Sequence, residues 1–153
     1  MPVGCYALFM SEQLHLVCPH CGALNRLPAT RLTEAPNCGR CKTALFQGHP
    51  VELDETTFDT MVSRNQTPVL VDFWAPWCQP CLMMAPQFER AARSLEPHLR
   101  LAKLNTESAP AVASRHGIRS IPSLILFHGG RECARQAGAM DANAIQRWLK
   151  NHL

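Results

Sequence analysis

The sequence predicts an α/β fold, a mixed β-sheet covered by helices, behind a small cysteine-rich unit. Three observations predict it. Residues 69–75 form a continuous apolar run, Val-Leu-Val-Asp-Phe-Trp-Ala, as expected of a central strand buried on both faces. On either side of it, segments with strand and helix periodicity follow one another in the order β-α-β-α-β-α-β-β-α. The first 48 residues lack this regularity and carry two Cys-x-x-Cys pairs instead.

Size and charge narrow the function. The 153 residues allow one ordinary domain plus something small. No apolar run approaches the ~20 residues needed to span a bilayer, so no membrane role is expected. The formal net charge is +3, with basic residues scattered along the chain. In residues 1–48, Arg26, Arg31, Arg40 and Lys42 face only Glu12 and Glu34, too thin a surplus for nucleic acid.

Taken in order, residues 1–12 read as a disordered leader; they lack a basic start and a proper apolar stretch, so they do not read as a signal peptide. Without export the thiols stay reduced, which places the chain in the cytoplasm. Residues 13–48 hold Cys18-Pro-His-Cys21-Gly22 and Cys38-Gly39-Arg-Cys41, with sixteen residues between the pairs. That is the spacing of a four-cysteine zinc site. Each pair makes a tight turn with a glycine just after or within it, where positive φ is easily adopted. Four thiolates in a tetrahedron suit one structural zinc and leave no open position, so His15 and His20 are bystanders. A segment this short buries too little surface to fold alone. Cys18-Pro-His-Cys21 also reads as a redox pair, but no long buried strand precedes it and no helix pattern follows. A zinc site that releases metal on oxidation is a further reading.

Gln47-Gly-His-Pro50 marks a short linker. Residues 51–54 read as an edge strand with Asp54 as a helix cap, and 55–64 carry Phe58, Met61 and Val62 on one helical face. Pro68 opens the central strand. The helix expected over 82–94 should kink at Pro86, which lacks a donor and clashes with the preceding turn. Residues 100–105 alternate as a strand. A short helix at 109–116 ends at Gly117. Strands at 123–127 and 131–137 flank His128-Gly-Gly130, a hairpin signal. Asp141 caps a last helix with Ile145, Trp148 and Leu149 inward. Trp74 and Cys133 are expected in the core, and Met83 and Met84 in helix packing. Cys5 is given no role.

The chemistry sits where the apolar strand hands a dithiol to a helix, at Ala75-Pro-Trp77-Cys78-Gln79-Pro80-Cys81. Free N–H groups and the positive end of the dipole favour Cys78 as thiolate, the nucleophile of disulfide exchange. Cys81, one turn deeper, finishes the reaction. Asp72 interrupts an apolar strand, where burial raises its proton affinity and suits it to act as a general base.

From about residue 50 onward the chain resembles the thioredoxin family, and with the front knuckles it resembles the thioredoxin 2 type. The motifs are Val71-Asp-Phe-Trp-Ala-Pro-Trp-Cys-x-Pro-Cys81, Lys103-Leu-Asn, Gly117-Ile-Arg-Ser-Ile-Pro122-Ser and Gly138-Ala139. The resemblance implies a thioredoxin fold over residues 49–153. It implies a monomeric protein-disulfide reductase that uses Cys78 and Cys81 on disulfide-containing proteins. A thioredoxin reductase drawing on NADPH and FAD would recharge it, and no organic cofactor would be bound. It assigns Asp72 the role of base with Lys103 as its charge partner, and makes the bond before Pro122 cis beside the dithiol. Trp77, Gln79, Pro80, Ile121, Ala137 and Gly138 would receive the partner. The family usually has glycine where this chain has Gln79, which bears on redox poise and on fit to partners. Two other functions are weighed: a zinc-ribbon adaptor or holdase, and a more oxidising oxidase or isomerase.

Overall fold

The computed structural model describes residues 13–153; the leader at 1–12, with Cys5, lies outside the described residues. At the front, β1 (Gln13–Val17) and β2 (Leu24–Pro28) pair as an antiparallel hairpin with Val17 opposite Leu24. Alternation turns Leu14 and Leu16 inward, where they meet Leu27, Leu32 and Leu45 around the buried Cys18 and Cys38. The strand ahead of Cys18 is only five residues long, too short for its alternation to stand out in the sequence.

The rest follows the expected order: β3 (Val51–Leu53), α1 (Phe58–Arg64), β4 (Val69–Trp74), α2 (Gln79–Leu95), β5 (Arg100–Asn105), α3 (Pro110–Arg115), β6 (Ser123–His128), β7 (Arg131–Ala137) and α4 (Ala142–Lys150). The sheet runs β3-β5-β4-β6-β7, a thioredoxin fold with β4 in the middle. β3, β5 and β4 are mutually parallel, and β6 and β7 are antiparallel to their neighbours. Strand periodicity divides β4 between two cores. Val69, Val71 and Phe73 pack with Phe58, Met61 and Val62 of α1 and Val112 of α3. Leu70 points the other way, toward Met84 and Phe88 of α2 and Ile145 and Leu149 of α4. Asp72 shares the face of Leu70, so the sheet alone places a carboxylate beneath the helix that carries the dithiol.

Several expectations are corrected. α1 begins at Phe58 rather than 55, because the Asp54 carboxylate takes the N–H groups of Thr56 (2.8 Å) and Thr57 (2.9 Å) and fixes a turn ahead of the helix. α2 starts at Gln79 and continues through Pro86, whose missing donor falls opposite the carbonyl of the exposed Leu82. Cys133 is half-buried rather than core, since β7 is an edge strand exposed along most of its length. Trp74 is half-buried beside the dithiol, and Met83 is 73% exposed while Met84 is buried. Among the described residues no helix is long and apolar enough to cross a membrane.

The two sheets meet along the edge of β1. His15 N–H donates to Gln66 Oε1 (2.8 Å) and the Gln66 N–H returns to His15 O (2.8 Å). The Val17 N–H donates to Asn65 Oδ1 at 3.0 Å, and the Val17 side chain enters the core under α1.

Candidate functional site

β4 ends at Trp74, and the N–H of Cys78 bonds back to Ala75 O (3.2 Å), turning the chain into α2. Cys78 is the N-cap residue: its backbone is extended, and its sulfur accepts the Cys81 N–H at 3.3 Å. An anionic sulfur in this seat takes an otherwise orphaned helix donor and sits at the positive end of the dipole. Cys78 and Cys81 form a disulfide, their Cα atoms 5.3 Å apart. Both are buried, 4% and 2% exposed, so their difference lies in position: cap against first turn.

Opposite the dithiol, the Ile121–Pro122 bond is cis, and Ile121 O lies 3.7 Å from Cys78 Sγ. The Gly138 N–H holds Pro122 O at 2.9 Å, so the end of β7 supports this loop. Pro122 is buried, Ile121 half-buried, and Ala137 and Gly138 exposed. Trp77 is 64% exposed and shares its surroundings with exposed Gln79 and Pro80. Of the residues named from the sequence for partner contact, Trp77, Gln79 and Pro80 flank the dithiol along the chain and Ile121 faces it, while Ala137 and Gly138 stand beside the Pro122 loop. Exposed Leu82 and Met83, the latter expected from the sequence in helix packing, continue this apolar rim along α2.

On the face of β4 that α2 covers, Asp72 is fully buried, and neither carboxylate oxygen has a hydrogen-bond partner. Burial pushes its carboxyl up from an ordinary 3.8 to about 7, against the pull of Lys103 and with a push from Glu52. Lys103 stands opposite Asp72 in register, its ammonium 4.5 Å from the centre of the Trp74 ring. A buried carboxyl that titrates near neutrality can take a proton from a neighbouring thiol and release it.

The four front cysteines converge. All four sulfurs lie within 4.8 Å of one another, with Cys18–Cys41 at 3.6 Å and Cys21–Cys38 at 3.7 Å. A tetrahedral ion about 2.3 Å from each sulfur requires sulfurs about 3.8 Å apart, so the set fits a metal. The two knuckles repeat the same pair of bonds. Cys18 N–H to Ala23 O (2.9 Å) and Gly22 N–H to Cys18 O (3.0 Å) match Cys38 N–H to Thr43 O (2.8 Å) and Lys42 N–H to Cys38 O (2.9 Å). The left-handed residue is Gly22 (φ 78°) in the first but Lys42 (φ 68°) in the second, so Gly39 is not the turn glycine its position suggests.

Hydrogen bonds to sulfur favour the thiolate at Cys38 and Cys41. The main chain at Cys41, then the Asn25 amide and the Arg40 N–H, bring the Cys38 thiol down to about 6. Thr43 lowers Cys41. Cys21 rises to about 11 although Ala23 lowers it, because burial and hydrogen bonds with the other thiols outweigh that effect. Asn25, absent from the sequence reading, donates to Cys38 Sγ (3.4 Å) and accepts the Gly39 N–H (2.8 Å). Such outer-shell bonds fix ligands in place. Asn25 stands 13 residues ahead of Cys38, a separation that marks no motif.

Comparison with known proteins agrees with this arrangement. The family model described as Thioredoxin matches residues 49–151, and the one described as Thioredoxin 2, N-terminal, matches residues 17–43. Thioredoxin C-3 of Corynebacterium nephridii is 43% identical over 138 residues, covering 90% of this chain and 94% of that protein. Thioredoxin 1 of a Nostoc species is 42% identical over 102 residues, 67% of this chain and 95% of that protein. The solved structure of an asparagine-to-glutamine mutant of a thioredoxin from Halobacterium salinarum superposes with a TM-score of 0.62 at 30% identity, over 70% of this chain and 93% of that one.

Proposed function

Because the chain belongs to the thioredoxin family and is therefore a thiol-disulfide oxidoreductase, we propose that it works as a protein-disulfide reductase of the thioredoxin 2 type. The observation that carries the reading is Cys78 capping α2 with its sulfur on the Cys81 N–H, in a helix that covers the face of β4 where the Asp72 carboxylate lies unpartnered.

In the reduced protein the Cys78 thiolate attacks one sulfur of a target disulfide. The target's other sulfur leaves as thiolate and takes a proton from water, and a mixed disulfide remains. Asp72 takes the Cys81 proton, with Lys103 steadying the negative charge. Cys81 then attacks Cys78 Sγ, expelling the target's second thiolate and closing the 78–81 disulfide. The target's second thiolate takes up the proton held by Asp72, so two electrons have passed from the dithiol to the target, whose thiols have gained one proton from water and one from Asp72. The Ile121 carbonyl and N–H beside Pro122 would pair with an extended target segment. Trp77, Gln79, Pro80, Ala137 and Gly138 would make the surface around it.

We take residues 13–48 as a metal unit and 49–153 as the redox domain. Cys18, Cys21, Cys38 and Cys41 would hold zinc, which when bound supplies structure and no chemistry. Recharging by a thioredoxin reductase and residence in the reducing cytoplasm fit four free thiols beside a redox pair. Insulin reduction tests the proposal. Wild type should turn over with reductase and NADPH, Cys78→Ser should not, and Cys81→Ser should accumulate a mixed disulfide on Cys78. Turnover no faster than Cys78→Ser would favour an adaptor instead.

A further inference from the structure

Register places a third charged residue in line with Asp72 and Lys103. Asp72 on β4 stands opposite Lys103 on β5, and Lys103 stands opposite Glu52 on β3. Residues opposite one another in a sheet project to the same face with their Cβ atoms roughly 5 Å apart. Carboxylate, ammonium and carboxylate therefore form one row across three neighbouring strands, from the centre of the sheet to its edge. The row ends in a groove: Glu52 lines a cleft of about 410 Å³ between the first knuckle and the edge of the sheet, together with His20, His49 and Arg100. Among the described residues, Lys103 and Glu52 are the charges that act on Asp72. β6 presents Leu124 opposite Asp72, and the helices covering this face contribute Met84 and Phe88 from α2 and Ile145 and Leu149 from α4. Cys81 in the first turn of α2 is the remaining titratable group of that helix's buried side.

We propose that Glu52 is a positioning residue of the redox centre, its carboxylate offsetting the pull of Lys103 on Asp72 and so keeping the Asp72 carboxyl able to exchange the Cys81 proton at neutral pH. The inference rests on the reductase reading above. Lys103 is the cation that acts on the buried carboxylate among the described residues, and a carboxylate on its other side offsets its attraction. Glu52 also repels the ionised form of Asp72 directly. Both effects have the same sign, and Asp72 and Glu52 each respond to Lys103 in this way, lowered by it while burial raises them. The cap and the dithiol are untouched, so Glu52 acts through Asp72 rather than on the reacting sulfurs.

Single-turnover reduction of insulin by the pre-reduced protein, followed between pH 5.5 and 9, tests it in wild type, Glu52→Gln, Glu52→Asp, Asp72→Asn and the Glu52→Gln/Asp72→Asn double variant. Removing the Glu52 charge should move the limb that reports Asp72 to lower pH by about half a unit, a size set by charges roughly 10 Å apart and partly screened. Glu52→Asp should restore the limb, KM for insulin should stay within about two-fold, and Glu52→Gln should change nothing once Asp72 is Asn. If Glu52→Gln matches wild type while Asp72→Asn loses the limb, the inference is overturned and the reductase reading stands. If wild type fails to reduce insulin, or Asp72→Asn leaves the profile unchanged, both fall.

Discussion

The guanidinium of Arg100, the first residue of β5, donates to the main-chain carbonyl of Leu45 and so ties the front unit to the redox sheet. The side chain is 1% exposed, pairs with Glu96 at 3.3 Å and lies 4.2 Å over the Phe46 ring. Glu96 in turn accepts the N–H groups of Gly48 (3.2 Å) and Leu101 (3.2 Å). Breaking a buried pair from one side strands the other charge. Arg100→Met should therefore destabilise the chain by about 3–5 kcal/mol, read as a lower urea midpoint, and adding Glu96→Gln should recover part of the loss. A midpoint equal to wild type would mean that the joint contributes nothing.

Asp72 should make stability depend on pH. Its folded value, near 7, lies above the ordinary 3.8, so the native state holds a proton that the unfolded chain has already released. The penalty is absent below about pH 4, grows as pH rises toward 7 and is complete above it. It amounts to on the order of 4 kcal/mol for one such buried carboxyl. Asp72→Leu, similar in shape and without charge, should be more stable than wild type at pH 8 by several kcal/mol and equal to it near pH 4. Denaturant titrations at the two pH values would show a constant difference if Asp72 were not the cause.

The redox half was legible because its signals are local. A run such as residues 69–74 is apolar whatever it packs against, and Cys78 before a helix pattern is a cap by position alone. What escaped the sequence depends on register between distant strands. Glu52 reads as an ordinary edge-strand glutamate until β3 and β4 are both placed beside β5, which no periodicity specifies. Arg100 shows the same thing at the joint, since its partner Leu45 is 55 residues away. The left-handed turn at Lys42 runs against the rule that places glycine there, because the repeated knuckle bonds dictate the conformation and the residue present bears the strain. Met83 escapes because a methionine on a helix beside a buried one looks like packing.

Removing metal should separate the two halves of the chain. The front core is a handful of leucines around Cys18 and Cys38, and a four-thiolate zinc contributes roughly 10–16 kcal/mol of apparent binding energy to such a unit. The protein as purified should hold one equivalent, and Cys38→Ser should lose it. Amide exchange in residues 13–48 should then accelerate by orders of magnitude while β4, β5 and β6 stay protected. Metal should also leave on acidification, because protons compete with the ion for the four thiolates. Slow exchange in the metal-free front segment would show that the ion is dispensable for its fold.

The exposed apolar surface beside the dithiol should serve large substrates only. Trp77, Leu82 and Met83 are 64%, 44% and 73% exposed, an arrangement that water penalises unless something covers it in use. A protein target that buries the Trp77 ring gains the contact of a central anchor, worth upward of about 1 kcal/mol. A small aromatic disulfide reaches Cys78 without covering that ring. Trp77→Ser should therefore lower kcat/KM for insulin by about tenfold or more, the factor that corresponds to about 1.4 kcal/mol. It should leave the rate with a small disulfide reagent within about two-fold. Met83→Ser should show the same selectivity to a smaller degree. Equal losses on both substrates would place Trp77 in support of the cap rather than on the docking surface.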